Sequence, residues 1–366
     1  MPARRPKDAF HGEKMMTGVT ITGSGHFLPG APIPNAALSR VMETDHEWIL
    51  QRTGIEQRHF CPEGQGVSDL ALVAAERALE SAGCAAEDVD YILFNTMTPD
   101  HVFPGSAPLL ARALGCRGVP ALDLRTQCAA MIYSFQLADS LLCCGAARRI
   151  LVVGAEAHAG FMPWRDWDVL EGTAPGPVAP ADFERASRHR ALAIIFGDGA
   201  GALLLEKTDA VGAKLLGVDL HSDGQFAEKL FIPAGFRSRP FVSQTTVEED
   251  LWIPRMDGRD VFRQAVTLLP KSVKRVCQRA GVQLSDVDWF IAHQANQRIN
   301  DAVRERLGVP AEKVPSNIAR TGNTSAATIP ILVDEMRRDG RLKSGQLVCF
   351  LALGAGLHWG SILWRL

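Results

Sequence analysis

Ala280-Gly281 followed by Asp286-Val287-Asp288-Trp289-Phe290-Ile291-Ala292-His293 repeats Ala82-Gly83 followed by Asp88-Val89-Asp90-Tyr91-Ile92-Leu93-Phe94-Asn95, 198 residues upstream. The match is gap-free. It reads as the end of a helix, a turn and a buried strand, present twice. A repeat on this scale fixes the architecture before any local assignment. Two further matches keep the same order. Gln127-Cys128-Ala129-Ala130 aligns with Thr324-Ser325-Ala326-Ala327 at 197 residues, and Ile150–Ala155 aligns with Val348–Ala355 at 200. The second copy carries His293 where the first has Asn95. A duplicated fold with one diverged position marks where chemistry was added.

Around these segments the chain alternates short apolar runs with helical patterns. Val19–Thr22, Tyr91–Asn95, Ile150–Val153, Ala200–Leu205, Trp289–Ala292, Leu347–Leu353 and Ser361–Trp364 read as strands buried on both faces. Ser68–Ser81 reads as a helix with Ser68 or Asp69 as its cap, and Val261–Ala280 as a helix that Pro270 should kink or break. Strands alternating with helices predict an α/β protein with largely parallel sheets. Two such halves predict a layered α/β/α/β/α body. The boundaries are a polar extension over 1–17, one half over 18–208 and a second over 209–366. Residues 161–190, with Pro163, Pro175, Pro177 and Pro180, read as a long loop, either a surface excursion or a functional insert.

Composition narrows the class. Of 366 residues 46% are hydrophobic and 22% charged, as in ordinary globular domains. A formal charge of −2 and sparse aromatics give no sign of a nucleic-acid partner. No apolar run is long enough to span a membrane, and the start of the chain lacks a secretory h-region. The eight cysteines form no CxxC pair, which argues against zinc and for a reduced, cytoplasmic setting.

Three residues carry chemistry. Cys128 stands where a helix should begin, and the helix dipole lowers a thiol there by roughly one pKa unit. That leaves it mostly protonated at neutral pH, so a base or cation is also needed. His293 ends a strand and Asn323 precedes a helix. Taken singly, these read rather as a small core residue, a packed or capping histidine and an N-cap. If the halves pack about a pseudo-twofold axis, all three meet at the centre and form a site for thiol nucleophilic catalysis.

These residues carry a family resemblance. Asp45-His46-Glu47-Trp48-Ile49 with Arg52-Thr53-Gly54-Ile55 resembles β-ketoacyl-ACP synthase III. So do Phe196-Gly197-Asp198-Gly199-Ala200-Gly201, His293-Gln294-Ala295-Asn296, Gly322–Ala327 and Gly354-Ala355-Gly356 with Trp359-Gly360. The matches run in family order from about residue 19 to 366. The resemblance implies the thiolase fold, a homodimer, and a condensing acyltransferase with no metal or redox cofactor. By that resemblance Cys128 takes the acyl group from acyl-CoA, and the N–H groups of Cys128 and Gly356 form the oxyanion hole. His293 and Asn323 serve decarboxylation of malonyl-ACP or malonyl-CoA. Trp48, Arg52 and Arg190 hold the coenzyme A nucleotide, and Gly258, Phe262, Asn296 and Ile299 line the pantetheine tunnel. Phe103 reaches into the partner's acyl pocket. Arg259, Arg263, Lys271, Lys274 and Arg275 form a basic excess that either docks an acyl carrier protein or is a solvated helix face.

Departures from the pattern surround the acyl pocket. Ala130 and Ala355 stand where the family often has Gly, and Leu357-His358 replaces the usual Phe-Thr. They put an acetyl starter in doubt. Other readings are an acyltransferase forming an ester or amide, and a non-catalytic partner subunit, which intact Cys128, His293 and Asn323 oppose. Thiolase is disfavoured because Cys349 is out of register with that family's second cysteine. Dinucleotide binding fails because Gly197–Gly201 leads into a strand.

Overall fold

The structure is a computed structural model that describes residues 18–208 and 212–366; the expected 1–17 extension lies outside the described residues. Two sheets carry the fold. The first runs in the order Gly18–Phe27, Gly199–Thr208, Arg149–Glu156, Tyr91–Asn95, Ala121–Leu124. The second runs Lys214–Ser222, His358–Arg365, Leu347–Gly354, Trp289–Ala292. The second repeats the first strand for strand and lacks only the fifth.

Both sheets are mixed rather than largely parallel. The Gly199–Thr208 strand is antiparallel to both its neighbours, as is His358–Arg365 to both of its own. The physical reason is local in the second sheet. Only three residues separate Gly354 from His358, enough for a hairpin and too few for a crossover. Two edge strands escaped the sequence reading. Ala121–Leu124 holds Asp123, and Lys214–Ser222 alternates, so neither is a continuous apolar run.

The duplication keeps one spacing. Tyr91 pairs with Ile150 and Trp289 with Val348, both 198 residues apart in sequence. The strands Arg149–Glu156 and Leu347–Gly354 share that spacing at both ends. Asp90 and Asp288 each cap the start of the neighbouring strand, accepting the N–H of Arg149 at 3.0 Å and Leu347 at 2.7 Å. The 197 and 200 spacings read from sequence are therefore one and two residues out. Single-letter likeness at Ala and Gly had drawn the alignment off register.

Helices fill three layers. Val67–Ala82 covers the outer face of the first sheet, and Gly258–Ala280 that of the second. Ala130–Cys143 and Thr328–Arg338 lie back to back between the sheets, where Phe135, Phe350 and Trp364 form an edge-to-face aromatic core. Gly66, not Ser68, is the cap of the first outer helix; Asp69 instead reaches back to the Gly66 N–H at 2.9 Å. Gly258–Ala280 continues through Pro270 unbroken. Proline removes the hydrogen bond to the carbonyl four residues back. That carbonyl, on Val266, accepts Arg306 Nη1 at 2.9 Å instead.

Residues 161–190 are not a loop. They form helices over Trp167–Glu171 and Pro180–Arg188, with Arg190–Ala193 following. Pro180 sits at the first turn, where its fixed φ suits a helix, and Gly172 takes φ 79° to end the preceding one. Trp164, Trp167 and Phe60 pack edge to face and seat this cap over the first half.

Candidate active site

Two short turns face each other at the seam. Gln127–Ala129 and Ser325–Ala327 are single 3-10 turns leading into the two central helices. Each opens on a non-glycine residue with positive φ, Gln127 at 49° and Ser325 at 47°. Such a conformation costs roughly 1–3 kcal/mol and persists only where the surroundings enforce it. The pair fixes the register again: Cys128 corresponds to Ala326, not to Ser325.

Cys128, His293 and Asn323 all line one cavity of about 730 Å³. Each is buried, at 5–6% exposure, so only the cavity gives access to them. The Cys128 thiol donates to Ser325 Oγ at 3.3 Å. Asn323 Oδ1 accepts the Ser325 N–H at 2.8 Å in an Asx turn; the N-cap position itself is Thr324, one residue on from the position expected from sequence. With its oxygen so held, the amide nitrogen of Asn323 is left as a donor. The Asn323 backbone is tied to the first half through Ile195 O at 2.9 Å and Gly197 N at 3.1 Å. His293 Nδ1 meets Thr328 Oγ1 at 2.7 Å.

Burial, not the helix dipole, dominates both ionisable groups. The Cys128 thiol is pushed up to about 12 by burial, with the Ser325 hydrogen bond opposing and Glu156 adding. His293 is pulled down to about 3 by burial. The resting site is therefore a neutral thiol and a neutral imidazole lining one cavity. The downward shift expected from the dipole alone is overturned.

Gly354 and Gly356 also line the cavity. A Cβ on Gly354 would lie 3.0 Å from Cys128 N and 2.8 Å from Ala129 N, so only glycine leaves that backbone approachable. Gly356 has φ 136°, which other residues rarely adopt. Glu156, fully buried, accepts from Thr98 Oγ1 at 2.7 Å, Met97 N at 3.0 Å, Thr96 Oγ1 at 3.2 Å and Ala326 N at 3.4 Å.

The cavity runs outward past Gly258, Phe262, Asn296 and Ile299 to Trp48 and Arg52. Arg52 and Arg190 sit over the Trp48 ring at 4.2 and 4.8 Å. Asn296 caps Gln297–Leu307 through Arg298 N at 2.9 Å and donates to Arg52 O at 2.9 Å. Phe103 stays outside this cavity, 82% exposed. Of the basic residues, Arg263 pairs with Asp260, and Arg275 holds the buried Asp219 at 2.7 Å. Lys274 donates to Arg306 O at 3.4 Å. Arg259 and Lys271 are exposed and make no ion pair within the described residues. Sequence reasoning missed Ser325, Thr328 and Glu156. Ser325 and Glu156 act through packing across the seam, and Thr328 through a contact with His293 in its own half; the correct 198 register is the signal that finds them. Among the described residues no group of three His, Cys, Asp or Glu side chains is placed to hold a metal ion.

A doubled five-layer sandwich with a buried thiol at the head of one central helix and an imidazole and carboxamide from the other half defines a thiolase-fold condensing enzyme. The family model for the C-terminal part of 3-oxoacyl-[acyl-carrier-protein] synthase III matches residues 277–366, and its companion matches 122–175 and 180–224. The chain is 39% identical over 355 residues to beta-ketoacyl-[acyl-carrier-protein] synthase III of Cereibacter sphaeroides, covering 96% of this chain and 100% of that one. It is 40% identical over 356 residues to the Bordetella petrii protein of the same name, covering 96% and 99%. The crystal structure of 3-oxoacyl-(acyl carrier protein) synthase III from Pseudomonas aeruginosa has a TM-score of 0.80 at 38% identity, covering 95% and 98%. The chain belongs to the 3-oxoacyl-[acyl-carrier-protein] synthase III family of acyltransferases.

Proposed function

We propose that this enzyme loads an acyl group from acyl-CoA onto Cys128 and condenses it with a malonyl thioester to give a 3-oxoacyl thioester. The observation that carries this is the single cavity joining Cys128, His293 and Asn323 to the Trp48–Arg52 mouth. Cys128 Sγ attacks the thioester carbonyl while its proton leaves to His293. The oxyanion sits on backbone N–H groups of Cys128 and Gly356, each donor worth about 2.7–4 kcal/mol. The C–S bond to coenzyme A breaks, and the departing thiolate takes the proton from His293.

The malonyl thioester then places its carbonyl against Asn323 Nδ2. Breaking the bond to the carboxylate releases CO₂ and leaves an enolate, whose charge Asn323 stabilises as it develops. The enolate carbon attacks the acyl-Cys128 carbonyl, and Cys128 leaves as thiolate. The cycle consumes one proton, which returns Cys128 to its thiol. No step calls on a metal or redox cofactor. A donor held ready for an enolate favours condensation over simple acyl transfer to an alcohol or amine.

Finer points complete the reading. The halves over 18–208 and 209–366 act as twin modules meeting at the site. Trp48 with Arg52 and Arg190 grips the nucleotide of coenzyme A, since indole stacks on adenine and guanidinium pairs with phosphate. Gly258, Phe262, Asn296 and Ile299 pass the pantetheine arm. An acyl carrier protein docks at Arg259 and Lys271, next to the cavity rim. Exposed Phe103 and Val102 beside the unpaired Ala121–Leu124 edge support a homodimer. No helix of the described residues is long and apolar enough to cross a membrane. Phe161, Ile194 and Phe196 also line the cavity, and with the departures at Ala130, Ala355 and Leu357-His358 they favour a starter other than acetyl. A priming β-ketosynthase of the R1128 polyketide pathway has a TM-score of 0.79 at 28% identity, covering 95% of this chain and 96% of that one. It keeps secondary metabolism open beside fatty acid synthesis. Mass spectrometry of the intact enzyme over a panel of acyl thioesters tests the reading: a Cys128 adduct supports it, and none across the panel refutes it.

A further inference from the structure

His293 Nδ1 lies 2.7 Å from Thr328 Oγ1, and Thr328 Oγ1 lies 2.9 Å from the Ser325 carbonyl oxygen. A hydroxyl has one hydrogen, and a carbonyl can only accept. One arrangement satisfies both contacts: the imidazole Nδ1–H donates to the hydroxyl, and the hydroxyl donates to Ser325 O. Both residues are buried, where a hydrogen bond left unmade is costly. Neutral His293 then carries its hydrogen on Nδ1, and Nε2 is a bare acceptor.

The duplication supports a joint role. The counterparts of His293 and Thr328, 198 residues upstream, are Asn95 and Ala130. Asn95 is held by other groups, Ser134 Oγ at 2.6 Å and Val153 O at 2.8 Å. The hydroxyl occurs only in the half that has the imidazole.

We propose that Thr328 is a positioning residue that sets the His293 tautomer, making Nε2 the acceptor of the Cys128 proton during acylation. The proposal rests on the condensing reading above. The S–H bond of Cys128 breaks, an Nε2–H bond forms, and the same proton later completes the coenzyme A thiol. Neutral His293 is then no donor to a malonyl carbonyl; it donates there only as imidazolium. Asn323 is the donor present at all times.

The test separates the tautomer from the activity. ¹⁵N shifts of labelled histidine, with His293 assigned by its loss in His293→Asn, read which ring nitrogen is protonated. The native enzyme should show protonated Nδ1 and bare Nε2, and Thr328→Val should move hydrogen to Nε2. Thr328→Val should slow Cys128 acylation at least tenfold with KM for acyl-CoA within twofold, and Thr328→Ser should restore most of the rate. Protonated Nε2 in the native enzyme overturns the proposal, as does equal loss in the Val and Ser variants. Bare Nε2 with no acylation by any acyl-CoA supports the tautomer and refutes the condensing reading instead.

Discussion

Glu156 and Gly354 end the two copies of one strand, 198 residues apart, and face the two copies of one turn. At the first, a carboxylate accepts the Ala326 N–H. At the second there is no side chain, and a Cβ there would lie 3.0 Å from the Cys128 N. The same backbone device meets a carboxyl group in one half and a bare glycine in the other, where the proposed function seats a substrate oxyanion.

That contrast predicts opposite kinds of damage. Gly354→Ala puts a methyl against Cys128 N and should cut acylation at least tenfold in a folded protein. Glu156→Ala orphans buried donors on residues 96–98 and 326, each worth about 1–3 kcal/mol. It should lower unfolding free energy by about 3 kcal/mol in a urea titration. An unchanged midpoint would contradict the assigned contacts.

Asn323→Asp keeps an oxygen for the Ser325 N–H and removes the amide donor. Acylation by acyl-CoA should survive, and malonyl decarboxylation should fall about 10²–10³-fold, the usual cost of one oxyanion donor. Loss of both half-reactions together would contradict the division of labour.

His293 gives the enzyme an acid-sensitive window. Its folded pKa, about 3, is below the unfolded value near 6.5. The fold holds the neutral ring, so its contribution is complete above pH 6.5 and is lost as pH falls toward 3. The slope approaches 1.4 kcal/mol per pH unit. Unfolding free energies of native protein and His293→Asn, compared from pH 7 to pH 4, should converge toward acid. Parallel curves would show that His293 is not held neutral.

Much of this was legible in the sequence. The repeat exposed the layered fold, and its diverged position exposed His293. The strands missed were those at sheet edges, where one face or end meets solvent and the apolar run is interrupted. The helices within 161–190 were hidden because Pro180 marks a helix start as readily as a loop. Ser325 and Glu156 were illegible because each bonds across the seam to a residue far away in sequence, and Thr328 because its bond to His293 joins a helix start to a strand end 35 residues away. The thiol shift was misjudged because a sequence displays a helix start but not the depth at which it is buried.

The basic helix face separates into two groups. Arg275 and Arg279 pair with the buried Asp219 at 2.7 and 3.1 Å. Burial pushes that carboxyl up, and hydrogen bonding from Arg275, Ser272 and His221 outweighs it and holds it at about 2. Arg275→Glu should therefore destabilise the fold. Arg259→Glu with Lys271→Glu should leave stability unchanged and raise KM for a malonyl carrier protein at least fivefold, with malonyl-CoA turnover unaffected. Equal effects on both donors would remove carrier docking from this face.

The most direct measurement of the central claim is intact-protein mass spectrometry of native enzyme and Cys128→Ala, each given acyl-CoA and then a malonyl thioester. The native enzyme should gain one acyl mass on Cys128 and lose it on the second addition as a 3-oxoacyl thioester forms, while Cys128→Ala gains nothing. An adduct that persists in Cys128→Ala, or an acyl-enzyme that malonyl thioesters never discharge, would contradict it.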